Sequence, residues 1–87
     1  MSASNGTVGS VSITPHALGQ AIRAKRMESG YSQRELGELL GLDRSGVSRL
    51  ESGKKLPSLA TLNRLSEVLL IPVEELILMA RMFERVL

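Results

Sequence analysis

Eighty-seven residues with a formal net charge of +2 suit one small domain, and with Tyr31 and Phe83 as the only aromatics its core must be aliphatic. The absence of cysteine excludes disulfides, thiolate chemistry and zinc fingers, and so few aromatics leave little for stacking on single-stranded bases. No apolar run approaches the ~20 residues of a membrane span, and the N-terminus has neither the charged start nor the apolar stretch of a signal peptide, so the expected location is cytoplasmic.

Residues 1 to about 13 are rich in Ser, Gly, Asn and Thr and carry no charge, the composition of a flexible tail. Thr14-Pro15 then opens a first helix, with Thr14 as cap and Pro15 in the first turn, where its missing N–H is no loss. This helix is expected over about 15–29, stopping at Gly30. Leu18, Ala21 and Ile22 share its core-facing side with the aliphatic stem of Lys25. His16 is the only histidine. With no second histidine or carboxylate cluster near it, neither a metal site nor a cofactor is expected there.

The most informative stretch runs from Gln33 to Gly53 and reads Q-R-E-L-G-E-L-L-G-L-D-R-S-G-V-S-R-L-E-S-G. Two short helices, about 33–40 and 44–52, are expected around a turn at Gly41-Leu42-Asp43. Ser32 and Glu35 make a capping box for the first, and Tyr31 before them packs as a hydrophobic staple towards Leu36. Leu36, Leu39 and Leu40 are assigned to its inner side. Gly41 supplies the positive φ that ends a helix cheaply, and Asp43 caps the second. At ~100° per residue, Arg44, Ser45, Ser48, Arg49 and Ser52 fall on one side of that helix and Val47 and Leu50 on the other. The outward side therefore consists of hydrogen-bond donors. Arginine can grip guanine bidentately, and serine can meet a base edge or a phosphate. Gly46 is ~1 kcal/mol worse than alanine in a helix, which implies close packing or a need for low bulk.

Ser32-Gln33, Glu35-Leu36, Gly41, Val47-Ser48, Leu50-Glu51, Gly53 and Pro57 stand in one register, and in that register the chain resembles the phage repressor and Cro family, the Xre-type helix-turn-helix regulators. The resemblance covers about Leu18 to Leu78. One departure is Gly37, where the family usually has alanine at the close approach of the two helices; glycine fits there at some cost in helix stability. The resemblance implies an all-α, compact five-helix domain of the lambda-repressor-like type. It implies a sequence-specific double-stranded DNA-binding regulator with helix 44–52 in the major groove, Arg44, Ser45, Ser48 and Arg49 reading bases or nearby phosphates. It also implies that Gln33 bonds a phosphate, at a helix N-terminus where free N–H groups and the dipole favour an anion. Lys54 and Lys55 would hold the backbone, and Arg34 is placed to do the same. Arg26 would pair with Glu51 as a structural tie between the first and third helices, not as a DNA contact. Charge placement suits this reading: residues 1–65 carry nine Lys or Arg against five Asp or Glu, and residues 66–87 two against four.

Ser58 opens a fourth helix, about 58–69, in which Leu59, Leu62, Leu65 and Leu69 repeat at helical spacing as core. Ile71-Pro72 leads into a last helix, about 73–86, with Glu74 and Glu75 favourable at its start. Val73, Leu76, Ile77, Met79, Ala80, Met82, Phe83, Val86 and Leu87 cover more than half of its circumference. A monomer core needs a stripe of ~100° or somewhat more. The excess points to homodimerisation, with Met79, Met82, Phe83 and Val86 as interface candidates and two reading helices ~34 Å apart on a palindromic operator. The competing reading folds the arc back onto the first helix or the tail. Residues 14–87 are thus expected to form one DNA-binding domain whose extended last helix, 73–87, serves for dimerisation. The alternative function is an antitoxin or accessory module whose last helix binds a protein partner. An enzyme is not expected, because no catalytic constellation, metal cluster or phosphate loop is present.

Overall fold

The computed structural model describes residues 12–85, which form α1 (Pro15–Glu28), α2 (Gln33–Leu40), α3 (Arg44–Ser52), α4 (Leu59–Leu69) and α5 (Val73–Arg85), with no strand among the described residues. The all-α, five-helix expectation holds, and each end lies within about a residue of its expected place. Residues 1–11 of the expected tail, together with Val86 and Leu87, lie outside the described residues.

Local chemistry sets these boundaries. The first N–H groups of a helix lack intrahelical partners, and a side-chain oxygen supplies one. Thr14 Oγ1 accepts from the Ala17 N–H at 3.1 Å, Asp43 Oδ1 from the Gly46 N–H at 2.7 Å and Ser58 Oγ from the Thr61 N–H at 3.1 Å. α2 ends at Gly41 with φ 74°, and α3 ends at Gly53 with φ 81°. α4 ends differently. Leu70 takes φ 55° and is 88% exposed, although that region disfavours a branched side chain. The Ser66 hydroxyl secures the turn by donating to the Ile71 carbonyl at 2.6 Å.

α1 lies at the centre, packed on α5 along one side and on α3 along another. Its Ala17, Leu18, Ala21 and Ile22 meet Leu36 of α2, Val47 of α3, Leu65 and Leu69 of α4, and Leu76 and Ala80 of α5. Each large aliphatic side chain fully buried here contributes ~1.5–3 kcal/mol relative to exposure. Ile13, Tyr31, Leu40 and Phe83 close the rim of this core.

Three expectations need correction. Leu39 is exposed, not inward. In so short a helix the core-facing stripe is narrow and falls on Leu36 and Leu40; Leu39 offers only its carbonyl, which accepts from Arg64 Nε at 3.1 Å. Leu59 is 72% exposed, because the first turn of α4 stands clear of the core that Leu65 and Leu69 enter. On α5 the competing reading accounts for much of the arc: Leu76 and Ala80 are buried, and Met79 and Phe83 pack against the same core. Among the expected interface candidates Met82 alone is openly exposed, at 67%, and Val86 lies outside the described residues. Leu78, 56% exposed, takes its place beside Met82. Sequence periodicity shows how wide an apolar arc is, not which part of it a neighbour covers.

Candidate nucleic-acid interface

The α2–α3 unit is held by contacts that leave no room for bulk. A Cβ on Gly37 would stand 2.6 Å from the Leu42 carbonyl oxygen, and one on Gly46 would stand 3.1 Å from Asp43 Oδ1. At 37 a side chain would need the Leu42 backbone to shift, against the Leu42 N–H bond that closes onto the Gly37 carbonyl at 2.8 Å. Val47 and Leu50 anchor the inner side of α3, and Arg44, Ser45, Ser48, Arg49 and Ser52 stand exposed on the outer side.

Beneath that outer side lies a buried polar tie. Arg26 Nε and its terminal nitrogen donate to the two Glu51 oxygens at 2.6 and 3.1 Å, and the other terminal nitrogen donates to the Tyr31 carbonyl at 2.9 Å. Both residues are almost fully shielded, at 9% and 6% exposure. The bidentate geometry and the extra carbonyl bond offset the desolvation that burying two charges entails. Gln33 joins the same network: its amide nitrogen donates to Glu51 Oε1 at 3.0 Å. One N–H of that amide is therefore engaged, and the geometry leaves the other to point away from the carboxylate.

The expected site residues fall into two groups around α3. Gln33, Arg34, Arg44 and Ser48 line one open concavity of about 650 Å³, with Ser32 and Ser52 beside them and the Arg26–Glu51 pair in its floor. Ser45 and Arg49 lie outside that lining; Ser45 borders a second depression with Arg34, Asp43 and Arg44, and the Arg49 charge acts on Asp43. The Asp43 carboxyl is held below its ordinary range by the Gly46 N–H first, then by the Ser45 hydroxyl, with the Arg49 charge adding to both. Ser45 Oγ donates to Asp43 at 3.1 Å, so its proton already serves the cap and only its lone pairs remain for a partner. Lys54 and Lys55 follow Gly53 in an exposed loop whose N–H groups fold back onto the Arg49 carbonyl at 3.0 and 3.2 Å. Lys55 borders a smaller groove with Leu56 and Pro57, away from the concavity. None of Arg34, Arg44, Arg49, Lys54 and Lys55 makes an ion pair among the described residues.

Sequence reasoning missed the far wall of the concavity, formed by His16, Gln20 and Arg23 of α1. A signal was present: positions 16, 20 and 23 follow the i, i+4, i+7 spacing of one helical stripe. Gly19 was missed as well. A Cβ there would stand 2.4 Å from the Glu51 carbonyl oxygen, so α1 and α3 cross at backbone contact. Among the described residues no cluster of His, Cys, Asp or Glu is arranged to hold a metal ion, and no helix is long and apolar enough to cross a membrane.

Comparison with known proteins matches residues 22–76 to a family described as Helix-turn-helix. The HTH-type transcriptional repressor RghR of Bacillus subtilis is 37% identical over 71 residues, covering 80% of this chain and 53% of its own. An SPbeta prophage-derived HTH-type transcriptional regulator, YonR, of the same organism is 38% identical over 52 residues, covering 60% of this chain and 48% of its own. The chain thus spans about half the length of these curated relatives. Among solved structures, the restriction-modification controller protein C.AhdI from Aeromonas hydrophila superposes with a TM-score of 0.67 at 39% identity, covering 71% of this chain and 94% of the other. The P22 c2 repressor, solved in complex with a synthetic operator, superposes with a TM-score of 0.64 at 29% identity, covering 68% and 89%.

Proposed function

The chain belongs to the helix-turn-helix family of Cro/C1 type, and from that premise we propose that it is a transcriptional regulator that binds double-stranded DNA sequence-specifically, as a homodimer on a palindromic operator. The observation that carries this reading is the convergence of Gln33, Arg34, Arg44 and Ser48 on one open face, where Arg34 and Arg44 make no ion pair among the described residues. In such a complex α3 enters the major groove. Arg44, nearest its N-terminus, reaches a guanine edge, and Ser48 one turn on meets a base or a phosphate. Ser45 and Arg49 reach the neighbouring bases. Gln33 keeps one N–H on Glu51 and gives the other to a phosphate at the start of α2, where the helix dipole favours the anion. Arg34, Lys54 and Lys55 hold the backbone on either side. That the P22 c2 repressor, a structural neighbour, was solved in complex with a synthetic operator supports the DNA-binding part of this reading.

The dimer reading rests on α5. Leu78 and Met82 are exposed one turn apart, beside a shallow apolar surface formed by Val73, Glu74, Ile77, Leu78 and Arg81. Glu74 and Arg81 stand symmetrically about Ile77-Leu78. A two-fold axis through that midpoint pairs the helices antiparallel and sets each Glu74 against the Arg81 of the other copy, the self-complementarity an isologous interface requires. The apolar centre then leaves water with a charged rim around it.

Selection of bound duplexes from a random pool, followed by footprinting, tests the whole reading. The expected result is a palindromic site with half-sites about one turn apart. Arg44→Ala should weaken binding to it by ~1–3 kcal/mol and relax the preference at one position per half-site. Unchanged preference in that variant would displace α3 as the reading element.

A further inference from the structure

α1 is capped in part from the other end of the domain. In α2 the cap is reciprocal and local: Ser32 Oγ accepts from the Glu35 N–H at 3.0 Å, and the Glu35 carboxylate accepts from the Ser32 N–H at 2.8 Å. α1 has the first half of that arrangement, with Thr14 Oγ1 accepting from the Ala17 N–H at 3.1 Å. The second half would come from the side chain three residues after the cap. That position is Ala17, which is buried in the core and carries no acceptor. Glu84, the penultimate residue of α5, supplies the acceptor instead. Its Oε2 accepts from the Thr14 N–H at 3.3 Å, and the Thr14 hydroxyl donates to the same oxygen. The hydroxyl thus gives its proton to α5 and a lone pair to α1. The turn held in this way is the one on which α3 ends. A Cβ on Gly53 would stand 2.7 Å from both N and Cα of His16 and 3.1 Å from the Pro15 carbonyl carbon, so the two elements meet backbone to backbone. Lys54 and Lys55 follow Gly53 at once, and their N–H groups close on the Arg49 carbonyl.

We propose that Glu84 is a positioning residue for DNA binding: by completing the cap of α1 it fixes the turn against which Gly53 rests, and so sets the pose of the Lys54–Lys55 loop. This rests on the DNA-binding reading and extends it to a carboxylate, a group that a duplex repels. The coupling runs from Glu84 to Thr14, from the first turn of α1 to Gly53, and from Gly53 into the loop. Close-packed backbone transmits a displacement rather than absorbing it, because no void lies between the two segments to take it up. The tie also joins α5, on which the proposed dimer is built, to the loop proposed to hold the DNA backbone. Each loop is thereby held in one relation to the two-fold axis. Charge alone gives the opposite sign: removing a carboxylate from a protein that binds a polyanion strengthens binding, whereas loss of this tie weakens it.

The test compares Glu84→Ala with Glu84→Gln in the full chain. Both remove the charge, but glutamine keeps an acceptor oxygen for Thr14 and alanine does not. In Glu84→Ala the thermal midpoint should fall by about 4–8 °C, the effect of losing one cap in a domain of this size. The amide resonances of Gly53, Lys54 and Lys55 should shift, although the Glu84 side chain bonds to none of them. Affinity for the selected operator, measured well below the midpoint, should fall about fivefold, the equivalent of that same cap, with the sedimentation behaviour unchanged. Glu84→Gln should match the wild type in all of these. If Glu84→Ala melts lower yet keeps wild-type amide positions at 53–55 and wild-type affinity, Glu84 is a brace for the fold and the proposal is overturned. Equal losses in Glu84→Gln would overturn it too, because the acceptor would then not be what acts. A wild type that retains no duplex at low salt would sink the DNA-binding reading itself, while the amide positions would still show whether the tie reaches the loop.

Discussion

α3 and α5 are both amphipathic, and they are held by opposite means. α3 is fixed at points: a carboxylate cap at Asp43, a left-handed glycine at its end, a backbone crossing at Gly19 and a buried ion pair at Glu51. α5 is fixed by area, through Leu76 and Ala80 against α1 and Met79 and Phe83 on the rim, and it leaves Leu78 and Met82 uncovered. Hydrogen bonds and backbone contacts are directional, so they fix the position and rotation of the helix from which the guanidinium and hydroxyl groups project. Apolar burial is non-directional and leaves an unclaimed remainder for whatever surface fits it. A helix that must present donors to a partner needs the first kind of anchorage; one that joins two copies, as proposed for α5, can do with the second.

The contrast can be broken most severely at Arg26. Arg26→Ala leaves the Glu51 carboxylate buried without its partner, at a cost of ~3–5 kcal/mol in denaturant unfolding. Replacing both members, as Arg26→Met with Glu51→Leu, should regain most of that stability while removing the acceptor that orients Gln33, so duplex binding should stay weak. If the double variant binds as the wild type does, α3 and α2 are not aimed by this tie.

Gly19→Ala comes next. Its methyl must displace backbone rather than a flexible side chain, and about 2–3 kcal/mol of destabilisation is expected. A thermal midpoint equal to the wild type would show that the α1–α3 crossing relaxes freely.

On α5 a change should act on assembly and hardly at all on folding. Leu78→Glu should alter stability by less than about 0.5 kcal/mol, yet yield monomer in sedimentation equilibrium where the proposed dimer is expected of the wild type. Glu74→Arg should do the same, and adding Arg81→Glu should restore the dimer. A monomeric wild type at high micromolar concentration would remove the dimer and leave Leu78 and Met82 for some other partner.

The mildest test concerns the α3 cap. Because the carboxyl of Asp43 is held below its ordinary value of 3.8, its contribution is complete above that pH and is lost as pH falls through the lowered folded value. Acid titration of helix content in Asp43→Asn should lack this component, since asparagine caps without titrating. Identical acid profiles for the two proteins would show that the carboxylate charge adds nothing to the cap.

Much of the architecture was legible in the chain because its signals are local. Caps at Thr14, Ser32, Asp43 and Ser58, and stops at Gly41 and Gly53, act over four residues or fewer, and the helices begin and end there. The outward and inward sides of α3 followed from 3.6-residue periodicity alone. The same periodicity misplaced Leu39 and Leu59, whose environments depend on neighbours reached only through the tertiary fold. It also overlooked the polar stripe of Gln20 and Arg23, which reads as an ordinary solvated side until α3 is set beside it.

The order of residues by itself determined five helices, their boundaries and which side of the turn unit carries donors, because backbone capping and amphipathic spacing are settled within a few positions. Only the tertiary structure decided that α1 supplies a wall to the basic concavity and that a Cβ at 19 or 37 would press on neighbouring backbone. It alone decided that Leu78 and Met82, rather than Met79 and Phe83, face outwards on α5. Those outcomes depend on where two helices cross, and a crossing is a property of pairs of segments distant in the chain.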